Sequence, residues 1–206
     1  MKIIKLSDRR KGLTALILED NSELLLDSEI VILNNLQPGV ILDDPDALVF
    51  ESDLKRAKSR ALWYLSRGDL AEKKLKEKLL QGGFMLAATE AAAERMKELG
   101  LINDERLAER LYGYLSESGA SKREILYKLQ NKGIPLDIAK GVVENDTADE
   151  SEKLLKLIKT KYAGKLNTEE GVRKTFNTLL RHGYSYSDVR DALKAYSEEI
   201  ENSEDY

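Results

Sequence analysis

The sequence has no cysteine, one histidine and three prolines among 206 residues, and aromatic residues make up only 6% of it. Without cysteine there is no disulfide framework, no thiolate zinc site and no thiol nucleophile. The lone His182 cannot assemble a histidine-rich metal site, and a Ser-His-Asp triad would have to rest on it alone. No apolar run approaches the roughly 18 residues needed to cross a bilayer. The opening Met1–Leu6 segment runs at once into Asp8, Arg9 and Arg10, which is not the pattern of a signal peptide. Walker and Rossmann phosphate loops, His-x-x-x-His pairs and nucleophile elbows are missing as well. These absences lead to the expectation of a soluble, cytoplasmic protein that is not an enzyme, has no catalytic residue, cofactor or metal, and makes no membrane contact.

What is present points to a helical surface over an ordinary core. Hydrophobic residues make up 42% and charged residues 34%. Lys and Arg number 33 against 37 Asp and Glu, a net charge of −4. That total is a sum of unlike parts. Residues 1–50 hold 5 basic and 9 acidic groups, whereas the rest holds 28 of each. Within the balanced part, residues 55–78 carry nine basic groups against three acidic. The stretch 153–165 carries five lysines and no acid, and residues 198–206 carry five acids and no base.

The first 50 residues read differently from the remainder. The apolar runs Leu13–Leu18 and Glu23–Leu26 flank the turn cluster Glu19-Asp20-Asn21-Ser22, which predicts a β-hairpin, with residues 2–6 as a third strand. Ser28 is positioned to cap a short helix through Leu33, and Asp43–Asp46 reads as a junction. From Asp53 onward apolar residues recur at three- and four-residue steps, as in Leu54, Ala57, Ala61, Leu62 and Leu65. The pattern predicts nine helices over about 53–66, 71–82, 86–99, 104–117, 121–132, 135–144, 149–162, 168–182 and 185–199, with a frayed acidic tail.

A repeat organises these helices. Gly83-Phe84, Gly133-Ile134 and Gly183-Tyr184 stand 50 residues apart. Four residues before each glycine is Leu79, Leu129 or Leu179, and ten before is Lys73, Arg123 or Arg173. Eight before are Leu75, Ile125 and Thr175, so the third copy lacks an apolar residue there and Phe176 is its expected substitute. A left-handed glycine ends a helix cheaply, and the apolar residue after it packs back on the turn just closed. The expected architecture is therefore mainly α: three tandem three-helix repeats in an elongated curved array, preceded by a small β-hairpin-containing N-terminal region. The expected boundaries are 1–50, 51–101, 102–147 and 148–206, the last with the acidic tail.

Several of these segments resemble the RecX family of regulatory proteins. Arg181–Leu193 resembles the family's last repeat, Gly100–Glu109 its Gly-Leu-Ile-Asp-Asp-Glu-Arg segment, and Lys128–Ile134 its Glu-Leu-x-x-Lys-Gly-Ile segment. Ala61–Arg67 followed by Lys74-Leu75 and Lys78-Leu79 resembles the first repeat. The match runs in order from about Asp53 to Tyr196. Asn103, Ala71, Ser121 and Leu107 depart from the usual Asp, Ser, Gly-Pro and aromatic residues. The resemblance implies binding to RecA recombinase, as a filament on single-stranded DNA, with inhibition of its ATPase, strand exchange and co-protease activities. It thereby implies a RecA inhibitor that modulates recombination, DNA repair and the SOS response.

On that expectation the action is steric and electrostatic. Candidate contacts are the basic positions at equivalent places in the repeats: Lys73, Arg123 and Arg173, then Lys78 and Lys128, then Arg181 two residues before its glycine, together with Lys132 next to Gly133. Gln81 and Asn131 occupy matching places, and Arg67 and Lys76 join from the basic stretch. Trp63 is expected in the core, and Tyr112, Tyr114 and Tyr127 half-buried. His182 at a helix C-terminus and Asp104-Glu105 at a helix start suit the helix dipole. The alternative is a helical nucleic-acid-binding module acting directly on single- or double-stranded DNA, against which the acidic balance and the lack of a dense Arg/Asn/Gln reading face both count. A monomer is expected in either case.

Overall fold

In the computed structural model, which describes residues 1–204, turn chemistry sets up the N-terminal sheet. Lys11 and Gly12, with φ of 64° and 69°, reverse the chain between β1 (Ile3–Arg9) and β2 (Leu13–Leu18). The next reversal is made by Asp20, whose carboxylate accepts from the Ser22 amide at 3.0 Å and hydroxyl at 2.6 Å, with Asn21 at φ 63°. β3 (Glu23–Asp27) follows, and the antiparallel order is β1-β2-β3. The expected hairpin with a third strand is thus present. Ile3, Leu16, Leu18 and Leu26 bury one face of the sheet against Val31, Leu36 and Leu42.

Two local expectations are corrected. Asp27, not Ser28, caps α1 (Ser28–Leu33), since its carboxylate accepts from the Glu29 amide at 3.0 Å. The Ser28 hydroxyl instead lies 2.9 Å from that of Thr14. The first long helix does not start near 53 but at the Asp43–Asp46 segment, as α2 (Pro45–Leu65). Asp44 accepts from the Ala47 amide at 3.0 Å, and Pro45 sits in the first turn, where its missing N–H costs nothing. α2 is tied back to the sheet by Ser52, whose buried hydroxyl accepts from the Asp27 amide at 2.7 Å.

α2 also begins the helical part of the first of two compact units, Met1–Asn103; the second starts at Asp104. In the first, α3 (Glu72–Gln81) and α4 (Leu86–Glu98) complete a triplet with α2. The alanines 57, 61, 88 and 92 are all fully buried and let α2 and α4 approach closely around Leu75, Leu79 and Met96. The second unit holds α5 (Asp104–Ser118), α6 (Lys122–Asn131), α7 (Leu136–Glu144), α8 (Glu150–Leu157), α9 (Glu169–Arg181) and α10 (Tyr186–Glu204). α8 does not continue to 162 as an α-helix but passes through a π-helical turn, Ile158–Tyr162, and a 3-10 turn, Ala163–Lys165. α10 runs beyond the expected end at 199, so most of the acidic tail is helical rather than frayed; Asp205 and Tyr206 lie outside the described residues.

The fifty-residue repeat appears as three like turns. Gly83, Gly133 and Gly183 have φ of 83°, 88° and 87°. Their amides donate to Leu80, Gln130 and Leu180 carbonyls at 2.9–3.0 Å, and the amides of Phe84, Ile134 and Tyr184 donate to Leu79, Leu129 and Leu179 at 3.2–3.3 Å. This is the Schellman arrangement, which satisfies carbonyls a helix end would otherwise orphan. All three leucines are fully buried. In the third copy Thr175 is buried and Phe176 packs against the core of Leu154, Ile158, Leu179 and Val189, as expected. Among the described residues no helix is long and apolar enough to cross a membrane.

Candidate functional site

The C-terminal half of α2 places Arg56, Arg60 and Trp63 at steps of four and three, one face of a helix, and Arg67 follows four residues on in the turn just past its end. Trp63 is not in the core: it is 43% exposed, because Ala57 and Ala61 take the inward positions of this helix. The Arg67 guanidinium sits 3.9 Å from the centroid of the Trp63 ring and that of Arg60 at 5.3 Å. Tyr64 meets Trp63 edge-on at 5.2 Å, and Lys78 from α3 lies 5.3 Å from the Tyr64 ring. Arg56 lies 5.7 Å from the ring of Phe84, the residue that follows the first repeat's glycine. Each cation–π contact at such an exposed site is worth about 0.5–1 kcal/mol, so the array is ordered without being buried.

A cleft of about 510 Å³ runs beside this face, lined by Lys11, Asp27, Glu29, Lys55, Arg56, Ser59, Arg60, Trp63 and Phe84. One end of it is neutralised: Lys55 donates to Asp27 at 2.5 Å and to Glu29 at 2.6 Å. Burial acts to lower the Lys55 pKa, but those two carboxylates outweigh it and hold the ammonium above its ordinary value. At the other end Arg60 lies over the Trp63 ring and Arg56 near that of Phe84, with Arg56 also 3.8 Å from the Asp53 carboxylate. Arg, Trp and Tyr in this arrangement are the residue types that anchor protein interfaces.

The expected contact residues fall into three groups. Arg67 and Lys78 belong to the Trp63–Tyr64 cluster. Lys73, Arg123, Lys132 and Arg173 are exposed and make no ion pair among the described residues, and Arg173 lines a shallow groove with Val172, Phe176 and Tyr186. Lys76, Lys128 and Arg181 are engaged within the fold. Lys76 pairs with Glu72 at 2.7 Å and with Glu90. Lys128 pairs with Glu124 at 2.8 Å, and Arg181 Nε donates to the Asn177 carbonyl at 3.3 Å.

The tyrosines diverge. Tyr112 is half-buried as expected, but Tyr114 and Tyr127 are 71% and 65% exposed, because α5 and α6 turn them away from the faces carrying Leu107, Ala108, Ile125 and Leu129. His182 caps α9, and its carbonyl accepts from the Ser121 amide at 2.9 Å, seating the third repeat's turn on the start of α6. Asp104 begins α5. The residues sequence reasoning passed over are Arg56, Arg60 and the exposed Trp63. Their signal was the 56-60-63-67 spacing, a cationic helix stripe around one large aromatic.

No protein-family model matches the chain. It is 32% identical over 169 residues to the "Regulatory protein RecX" of Clostridium perfringens (strain 13 / Type A), an alignment covering 78% of each chain. It is 30% identical over 141 residues to the "Regulatory protein RecX" of Caldanaerobacter subterraneus subsp. tengcongensis, covering 68% of this chain and 71% of the relative. A crystal structure of a regulatory protein RecX is similar with a TM-score of 0.59, over 92% of this chain and 98% of the other, at 22% identity. At that identity the structural likeness concerns the fold.

Proposed function

The chain belongs to the RecX family of regulatory proteins, and on that premise we propose that it binds the RecA recombinase filament on single-stranded DNA in the cytoplasm and inhibits its ATPase, strand-exchange and co-protease activities. Acting so, it modulates recombination, DNA repair and the SOS response. The family relationship carries this reading. The Trp63–Arg67 surface supports it, since an exposed aromatic held by cations is the composition of an interface anchor.

On this reading residues 51–101, 102–147 and 148–206 are three repeats of one monomer that meet successive filament subunits. Weak contacts on tandem units then add through effective concentration, so no single residue carries the whole affinity. Arg67 and Lys78 contribute beside Trp63, and Lys73, Arg123, Lys132 and Arg173 contribute as unpaired surface cations. Lys76, Lys128 and Arg181 contribute less, because each must first leave a partner.

The test is single-stranded-DNA-dependent ATP hydrolysis by the cognate RecA. The protein is expected to suppress it at concentrations well below that of RecA; an unchanged rate at equimolar protein rejects the reading. Reversing Lys73, Arg123 and Arg173 to Glu one after another should weaken inhibition in steps while the helical circular dichroism stays constant. Full inhibition by the triple variant removes these positions from the account.

The stacked Trp63 face also favours a second reading, direct binding of DNA, because bases stack on exposed aromatics. Binding of bare oligonucleotide that falls steeply with salt, in the absence of RecA, would support it.

A further inference from the structure

The lysine stretch 153–165 takes no part in the surface described above. In the second unit it folds as α8 and the π turn, and three of its five lysines converge on one cavity of about 280 Å³. Lys153, Lys156 and Lys161 line it together with Lys122 from the start of α6. Among the described residues only Lys153 of these four forms an ion pair, with Asp146. Lys122 Nζ donates to the main-chain carbonyl of Asp146 at 2.6 Å, and Lys161 Nζ to that of Glu117 at 2.9 Å. Lys156 has no side-chain partner among the described residues. An ammonium has three donors, so each of the four keeps capacity to spare.

Two glutamates, Glu117 and Glu150, also line the cavity, and Asp146 stands beside it. Asp146 accepts from Lys153 and the Tyr112 hydroxyl on one oxygen and from the Ala148 amide at 3.0 Å on the other. Glu150 accepts from the Lys122 main-chain amide at 2.8 Å, and Glu117 is exposed to solvent. The four lysines thus share the lining with two glutamates, and cationic side chains outnumber anionic ones four to two.

The walls are ordered. Gly119 has φ 95°, and a Cβ placed there would lie 2.8 Å from the Leu157 side chain, so the loop after α5 closes on α8 only with glycine at this point. Tyr184 and Ile125 line the apolar side, and burial pushes the Tyr184 hydroxyl up to about 12, so it stays a neutral donor at physiological pH. The π turn puts Thr160 on the wall beside Lys161. Such turns are irregular helix that often accompanies a binding site.

We propose that this cavity is an anion site that takes a phosphate group, supplied either by a free polyphosphate or by the backbone of a nucleic-acid strand. The chemistry is that of convergent ammonium donors for an oxyanion, with an apolar side that excludes competing water. The inference does not depend on the action on RecA, and its test contains no recombinase.

Inorganic pyrophosphate and a short oligothymidylate are titrated separately into the full chain, at constant ionic strength held with chloride, and followed by amide chemical shifts. Shifts at Gly119, Ala120 and Thr160 that saturate with either probe are the expected result. Response to pyrophosphate identifies a free-anion site; response to the oligonucleotide alone identifies backbone phosphate as the source. The Lys156→Gln/Lys161→Gln variant should bind at least tenfold more weakly with its helical spectrum intact, and Lys156→Arg should retain binding. Unmoved resonances with both probes overturn the proposal, as does equal binding by the double glutamine variant.

Discussion

Two stretches of this chain, 55–78 and 153–165, are alike as sequence, since both are basic segments of amphipathic helix. As structure they differ in what their cations touch. Along 55–78 the guanidiniums of Arg60 and Arg67 lie on the exposed ring of Trp63. Along 153–165 Lys161 turns to a carbonyl oxygen, Lys153 to Asp146 and Lys159 to Glu199 at 2.5 Å, while Lys165 lies near a ring, 5.5 Å from that of Tyr162. A delocalised, weakly hydrated guanidinium stacks closely on an aromatic face, as Arg67 does at 3.9 Å, whereas a compact ammonium approaches rings less closely, as Lys78 and Lys165 do at 5.3 and 5.5 Å, and more often seeks oxygen. A run of positive charge therefore does not by itself say whether it is a docking face or the lining of a pocket. What distinguishes the first stretch is two guanidiniums gathered on one exposed indole.

Truncating the centre of the first stretch should give the largest effect. Trp63→Ala is expected to weaken inhibition of RecA about a hundredfold, the ~3 kcal/mol of an interface anchor, with little change in melting temperature. An inhibition constant within threefold of the parent would mean that the stacked face is only a solvated helix.

The second stretch should answer differently, through stability. Asp146 is held well below the usual carboxylate range, first by its bond from Lys153 and then by that from Tyr112. Burial, together with the bond to Asp146, pushes the Tyr112 hydroxyl up. Asp146→Asn should cost about 2 kcal/mol of stability at pH 7, the usual size for a hydrogen-bonded charge partly removed from water. Because the folded pKa is depressed, this contribution is fully present above the unfolded value near 3.9 and fades as pH falls below it. Denaturation at pH 7 and at pH 2.5 should show the gap between parent and variant closing in acid. A gap that persists would assign the loss to packing rather than to charge.

The same contrast marks how far the sequence could be read. The glycine turns, their leucines and the hairpin were legible because each follows from a local rule: a left-handed residue after an apolar helix, or a turn cluster between apolar runs. The inward Thr175 with Phe176 beside it was legible from the repeat register. Trp63 was not, because Leu62, Tyr64 and Leu65 surround it and only the 56-60-63-67 stripe sets it apart. Lys76 could be seen to pair with Glu72 four residues earlier, but Glu90 comes from another helix, and no spacing rule connects them. The π turn at Ile158–Tyr162 has no composition of its own, so the cavity beside it was hidden inside a segment that reads as ordinary helix.

The smallest effect tests the chemical distinction itself. Arg67→Lys keeps the charge just past the end of α2 and removes the planar group that lies 3.9 Å from the Trp63 centroid. Loss of one exposed cation–π stack is worth about 0.5–1 kcal/mol, so inhibition should weaken roughly two- to fivefold. Its salt dependence should stay the same, because the number of cations facing the partner has not changed. Arg67→Gln loses both stack and charge; it should weaken inhibition further and flatten the salt dependence. If Arg67→Lys matches the parent while Arg67→Gln does not, charge alone matters at this face. The two basic stretches would then differ only in where the fold happens to expose them.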